Sequence, residues 1–248
     1  MVSSDLWDEA TAATYDDDVA GMAAPEVLGP TLDRLVALAD GGPVLELAVG
    51  TGRIAVPLLR RGLAVSGIEL SEPMAARLRA KLRDDEQLPV VIGDMAEATA
   101  DGAGSFRLVV LVFNSISNLR TQDEQVACFR NAARHLAPGG RFVLELEVPP
   151  LRRLPVGQTA VPFDVSDEHT GFDTIDVATQ QMSSHHYTRM PDGSYRYGVG
   201  HFRYIWPAEC DLMAQLAGLE LESRHAGWDG APFTADSTSH VSVWRKPA

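Results

Sequence analysis

Residues Val44-Leu45-Glu46-Leu47 run without a break into Ala48-Val49-Gly50-Thr51-Gly52-Arg53. An apolar strand that ends on two closely spaced glycines and restarts as a helix restricts the chain to a few α/β folds. The glycines let the backbone take positive φ and lie against a ligand, and the unpaired N–H groups of the next helical turn point at it. Such a loop suits a nucleotide or an adenosyl group. Glu46 is a carboxylate inside the strand, so it must find a hydrogen-bond partner or face a polar ligand, and a cationic one fits best. Gly50 to Ala55 also satisfy the dinucleotide pattern G-x-G-x-x-G/A, which keeps an NAD(P)-dependent oxidoreductase open at this point. A plain strand-turn-helix junction is the third reading.

Two later strand ends narrow the choice. Leu63 to Ile68 reads as a second strand ending on Glu69, the place where such folds hold the two ribose hydroxyls of an adenosine. The bland alternative is an acid favoured by a helix dipole, because Ser71, Glu72 and Pro73 begin a helix that runs to about Arg83. The strand Leu88 to Ile92 is followed by Gly93-Asp94-Met95. Asp94 can accept from an adenine amino group, and Met95 can lie on the purine face.

With these residues the chain resembles the class I S-adenosylmethionine-dependent methyltransferases, particularly small bacterial enzymes that modify metabolites. The likeness is close from about Tyr15 to Glu147 and looser beyond. It implies that Glu46 lies near the methionyl amino group of S-adenosyl-L-methionine and that the loop Ala48 to Gly52, with Arg53, passes under the methionyl part. It implies further that Glu69 holds the ribose, and that Asp94 and Met95 take the adenine. Phe113 and Asn114, after the strand Phe106 to Phe113, match the edge where the sulfonium meets substrate, and Pro138-Gly139-Gly140 match the turn before the fifth strand. Tyr15 resembles leader tyrosines that cap the active site, with simple helix packing as its alternative. One departure stands out: the first glycine of the family's E/D-x-G-x-G-x-G motif is Ala48 here, and a small backbone adjustment without loss of binding is expected.

Strands and helices alternate through Glu147, which implies a parallel sheet with helices on both faces and ligands beyond its carboxyl edge. Pro25 to Asp40 and Thr121 to Leu136 read as helices of this run. The expected fold is a Rossmann-like seven-stranded methyltransferase sheet with a reversed last strand and a β-rich insertion after the fifth. Residues 1–147 would form the leader and cofactor-binding core, 148–206 the insertion acting as substrate cap, and 207–248 a helix and two strands completing the core. A reversed final strand is foreign to most dinucleotide-binding dehydrogenases.

Within the insertion, Pro191-Asp192-Gly193 signals a hairpin. A two-residue Asp192-Gly193 turn would set Ser184 opposite His201, His186 opposite Val199 and Thr188 opposite Tyr197. His186, His201 and Tyr197 would then share one face, and a slip of one residue would scramble them. His186 and His201 are candidate general bases, since methyl transfer needs one when the attacking group is protonated. Tyr197 and Asn114 are candidate substrate contacts.

A formal net charge of −13 disfavours a nucleic-acid partner, because phosphate binding needs a basic surface. Cys128 and Cys210 fall in expected helices without metal-ligand spacing and read as reduced core residues. No apolar run approaches a membrane span, and Met1 to Asp5 show no targeting pattern, so a cytoplasmic protein is expected, acting on a small metabolite that is aromatic or amine-bearing. A homodimer is compatible with the sequence. A non-catalytic S-adenosylmethionine-binding protein stays open beside the enzyme.

Overall fold

A computed structural model of the chain describes residues 7–248, so Met1 to Asp5 and the targeting reading made on them lie outside the described residues. Seven strands form the main sheet: β1 (Val44–Leu47), β2 (Val65–Glu69), β3 (Val90–Ile92), β4 (Phe106–Leu111), β5 (Leu136–Glu147), β10 (Glu220–His225) and β11 (Ser239–Arg245). Their order is β10-β11-β5-β4-β1-β2-β3, and only β11 runs against its neighbours. This is the Rossmann-like sheet with a reversed last strand.

The central strands are apolar on both sides because helices cover both. Leu45 and Leu47, Val109 and Leu111, Phe142 and Leu144 pack into one core with α5 (Gln122–His135) and α6 (Pro207–Leu216). Val44, Leu108, Val110 and Val143 point the other way, into a second core with α2 (Pro25–Ala39) and α3 (Ala55–Arg60). Period-two alternation thus assigns each strand residue to one of the two layers. The start of α5 is fixed by a capping box between Thr121 and Glu124. Cys128 and Cys210 are free thiols, wholly buried in the first core. No helix among the described residues is long and apolar enough to cross a membrane.

Between β5 and α6 the chain builds a second, antiparallel sheet of four strands: β6 (Ala160–Val165), β7 (His169–Asp176), β8 (Gln181–Arg189) and β9 (Tyr195–Arg203). It is anchored by Val161, Ile175 and Tyr204 packing on Leu151, Leu154 and Met182. The hairpin differs from the expected register by one residue. Met190 and Ser194 close a three-residue loop, in which the Met190 N–H donates to the Ser194 carbonyl and Gly193 sits at φ +83°. A glycine in the left-handed region after a turn adds one residue to the loop, and every pairing shifts with it. Ser183 therefore faces His201, His185 faces Val199 and Tyr187 faces Tyr197.

Candidate active site

The carboxyl ends of β1, β2 and β4 meet under α1 (Glu9–Asp18). Ala48, Gly50 and Gly52 all take positive φ, at +52°, +57° and +83°. Gly52 is needed twice over, since a Cβ there would come within 2.8 Å of Val56 and 2.9 Å of Leu78. The expected adjustment at Ala48 is not a retreat from the left-handed region: the alanine occupies it, at a cost of about 1 kcal/mol that glycine would not bear.

Glu69 ties this loop to the next strand end. One carboxylate oxygen accepts the Gly50 N–H at 2.7 Å and the other the Ser71 N–H at 2.9 Å, in a side chain only 6 % exposed. It is therefore both an acid at a helix start and a brace for the glycine loop. Each oxygen keeps a lone pair free for a further donor. Burial raises its carboxyl above the usual range despite the two bonds.

Glu46 is 3 % exposed, and its Oε2 has no hydrogen-bond partner. Burial pushes its carboxyl up to about 8, against the opposing pull of Arg53 and the Ala55 N–H. A buried acid with an unanswered oxygen is what a cationic ligand group would satisfy. Arg53 itself lies with its guanidinium 5.3 Å from the centre of the Phe113 ring.

Two hollows that share Trp7, Ala48, Glu69 and Asn118 in their walls open beside these residues. The inner one is lined by Ile68, Glu69, Asp94, Met95 and Leu119, with Trp7 and Ala48 at its border. Asp94 accepts the Ala96 N–H through Oδ1 at 2.8 Å, which fixes its direction. The outer hollow has a volume of about 260 Å³ and is lined by Tyr15, Gly50, Met74, Phe113, Asn114 and Phe202, among others. Phe113 and Asn114 both sit at φ +57°. Two consecutive left-handed non-glycine residues store strain that the surroundings must hold. They are held by β5: Glu145 Oε2 accepts the Phe113 N–H at 2.9 Å, and Asn114 Oδ1 accepts the Glu147 N–H at 2.7 Å. Trp228 in turn donates to Glu145 Oε1 at 2.6 Å.

The leader helix closes the top. Asp16 accepts from the Thr51 hydroxyl at 2.6 Å and pairs with Lys81 at 2.7 Å, while Lys81 also donates to the Thr51 carbonyl. Ser71 Oγ donates to the Trp7 carbonyl, and the Trp7 ring meets Tyr15 edge-on at 5.8 Å. Tyr15 thus lies over the outer hollow, half-buried, with burial raising its phenol.

On the cap, the corrected register separates residues that sequence had grouped. Phe202 enters the hollow, so the inward face carries Met182, Ser184, His186 and Phe202. His201 and Tyr197 stand on the opposite face, where they bond to Ser183 and His185 respectively. They do not line the hollow, and His186, though on the inward face, is not among its lining residues either. Trp7, Met74, Asn118 and Phe202, which do, carry no motif that sequence reading could have used.

A model of the methyltransferase domain matches residues 44–140. The cypemycin N-terminal methyltransferase of a Streptomyces species is 31 % identical over 98 % of this chain and 98 % of its own. The chain belongs to the methyltransferase family. The solved CcbJ methyltransferase of Streptomyces caelestis is 38 % identical and superposes with a TM-score of 0.78 over 88 % of this chain and 89 % of its own. An S-adenosylmethionine-bound amino pentose methyltransferase from Micromonospora echinaspora shares the fold at 23 % identity, with a TM-score of 0.68 over 89 % and 90 % of the two chains. The protein is thus a class I S-adenosylmethionine-dependent methyltransferase, an enzyme of small-molecule type. The orphaned oxygen of Glu46, the positive-φ loop and the doubly anchored Glu69 fit that cofactor, which supplies an electrophilic methyl group when bound.

Proposed function

We propose that the enzyme methylates nitrogen in an amine-bearing small molecule held between the Phe113-Asn114 edge and the inward face of the cap sheet. The observation that carries this reading is the make-up of the outer hollow. Trp7, Tyr15, Phe113 and Phe202 supply flat apolar walls, and Asn114, Ser115 and Asn118 supply uncharged polar tips. Among the described residues no lysine or arginine lines it, Arg53 lying against the Phe113 ring. Beyond Asn114 stand Glu147 and Asp173, whose carboxyls partial burial raises, an acidic flank suited to a substrate that arrives as a cation. The full-length likeness to the cypemycin N-terminal methyltransferase supports the same class of acceptor.

In this reading Glu46 and the loop from Ala48 to Arg53 hold the methionyl part, Glu69 the ribose, and Asp94 and Met95 the adenine. Tyr15 and the latch of Asp16 on Thr51 and Lys81 exclude water, so that placement of the nitrogen supplies most of the rate. Residues 148–206 work as the substrate cap on a core made of 1–147 and 207–248. The net charge of −13 supports a free small molecule over a nucleic acid. A cytoplasmic setting and a homodimer are consistent with the same reading. Calorimetry with S-adenosylhomocysteine, followed by mass spectrometry of an amine panel incubated with S-adenosylmethionine, tests it. Binding without transfer to any amine, while phenols or alcohols are methylated, would overturn the nitrogen assignment.

A further inference from the structure

A chain of titratable side chains crosses the inward half of the cap sheet. His169 Nδ1 lies 2.6 Å from Asp164 Oδ2, and His169 Nε2 lies 3.1 Å from His186 Nδ1. Phe163 packs against both imidazoles, its ring centre 5.3 Å from that of His186 and 6.3 Å from that of His169. Gly171 makes the room, since a Cβ there would meet the Phe163 ring at 2.2 Å.

The hydrogen-bond inventory then fixes the tautomers. A carboxylate only accepts, so His169 donates from Nδ1 and, as a neutral imidazole, presents a lone pair at Nε2. His186 must in turn donate from Nδ1, which leaves the lone pair on its own Nε2. That nitrogen is a base by construction, oriented by a partner that is itself oriented. His186 shares its strand face with Ser184 and Met182, and its cross-strand partner is Gly198, beside which a Cβ would find nothing within 4 Å. One pair nearer the core, the Phe202 ring lies over Gly200, within 2.8 Å of where a Cβ would stand, and that same ring lines the hollow. Along this strand pair only Ser184, its hydroxyl turned to Asp173, stands between His186 and the Phe202 ring that lines the hollow.

We infer that His186 is the catalytic base of the reaction and that His169 and Asp164 form its proton outlet to solvent. The inference rests on the nitrogen-methylation reading above. An alkyl ammonium has no lone pair for attack, so its N–H bond must break before the carbon–nitrogen bond forms. The proton goes to His186 Nε2, the Nδ1 proton of His186 passes to His169 Nε2, and the Nδ1 proton of His169 passes to Asp164. Asp164 lies on edge strand β6 with 47 % of its side chain exposed, and releases the proton to water. Burial and the neighbouring His169 hold His186 below the ordinary imidazole range, which keeps it neutral and basic near pH 7, against the pull of Asp173. Asp173 on β7 and His185 on the opposite face are the other titratable groups near it. His169 and Asp164 are positioning residues.

The test has two arms on the full-length protein. Nitrogen-15 NMR of the histidines at pH 7 is expected to show His186 protonated on Nδ1 alone, and His169→Phe is expected to mix its tautomers. A proton on Nε2 of His186 in the wild-type protein overturns the relay whether or not a substrate is known. In the second arm, the best amine from a panel of amino sugars and short peptides is followed across pH with saturating S-adenosylmethionine. His186→Ala is expected to lower kcat/KM about a hundredfold at pH 7. The loss should shrink about tenfold per pH unit towards the amine's own pKa, where the substrate deprotonates unaided. S-adenosylhomocysteine affinity should not change. A pH-independent loss, or none, refutes the assignment. If no amine is methylated, the nitrogen-methylation reading fails and the relay falls with it as a catalytic device.

Discussion

Replacing Glu69 by alanine removes an acceptor from two main-chain donors and, in the bound state, from the cofactor ribose. Each buried N–H left without a partner costs about 1–3 kcal/mol. Gly50 and Ser71 bond to Glu69 at 2.7 and 2.9 Å inside a site 6 % exposed, so folding stability should fall by at least about 2 kcal/mol. For a chain of this size that is a drop in Tm of roughly 4–8 °C. Lost hydrogen bonds to a charged acceptor should weaken S-adenosylhomocysteine binding by about 1.5–3 kcal/mol, roughly ten- to 150-fold. A Glu69 that only held the ribose would give a binding defect with folding barely changed; the brace to Gly50 makes both effects necessary. Glu69→Gln separates them, because the amide keeps one acceptor for the loop but turns a donor towards the second N–H. Calorimetry gives the affinity and a thermal melt the stability. An affinity within twofold of wild type together with an unchanged Tm would refute both roles.

Ala48→Gly should raise stability by about 0.5–1 kcal/mol, because relief of the left-handed alanine at φ +52° outweighs the extra chain entropy of glycine; a denaturant melt showing destabilisation would contradict the strain. Glu46 carries a carboxyl raised from 4.5 to about 8 in the folded chain, so the folded state binds more protons than the unfolded one between those values. Stability of the cofactor-free protein should therefore fall as pH rises from about 4.5 to 8 and level off above, a slope that Glu46→Gln should lack in parallel melts. The same group should release close to one proton when a cationic ligand binds at pH 7, read as buffer-dependent heat in calorimetry. Asp16→Ala breaks the latch on Thr51 and Lys81, an exposed pair worth less than about 1 kcal/mol to folding, and should speed cofactor dissociation in stopped-flow measurements; an unchanged off-rate would leave α1 as packing alone.

The sheet was legible because burial on both faces writes apolar runs such as Val44 to Leu47, and because glycine and acid at successive strand ends repeat one physical solution. Glu69 and Asp94 were found that way, and both line the inner hollow. The hairpin was legible as an element and not as a register, since a two-residue and a three-residue turn around Asp192-Gly193 use the same letters. That single residue moved His201 and Tyr197 to the outer face and left His186 facing inward with Phe202. The strain at Phe113 and Asn114 was beyond reach, because it depends on Glu145 and Glu147, some thirty residues away in sequence, arriving on the neighbouring strand. Glu145 and Glu147 do alternate with leucines in β5, a pattern that marks two acids on one side of an otherwise buried strand. The lid residue Trp7 has no such signature.

The nitrogen-methylation reading is tested most directly by a structure of the enzyme crystallised with S-adenosylhomocysteine and an amine that it methylates. The substrate nitrogen should lie between Phe113-Asn114 and Phe202, in line with the cofactor sulfur, with Glu69 on the ribose and Glu46 on the amino group. An amine bound on the outer face with His201 and Tyr197, or a substrate oxygen in the in-line position, would contradict it.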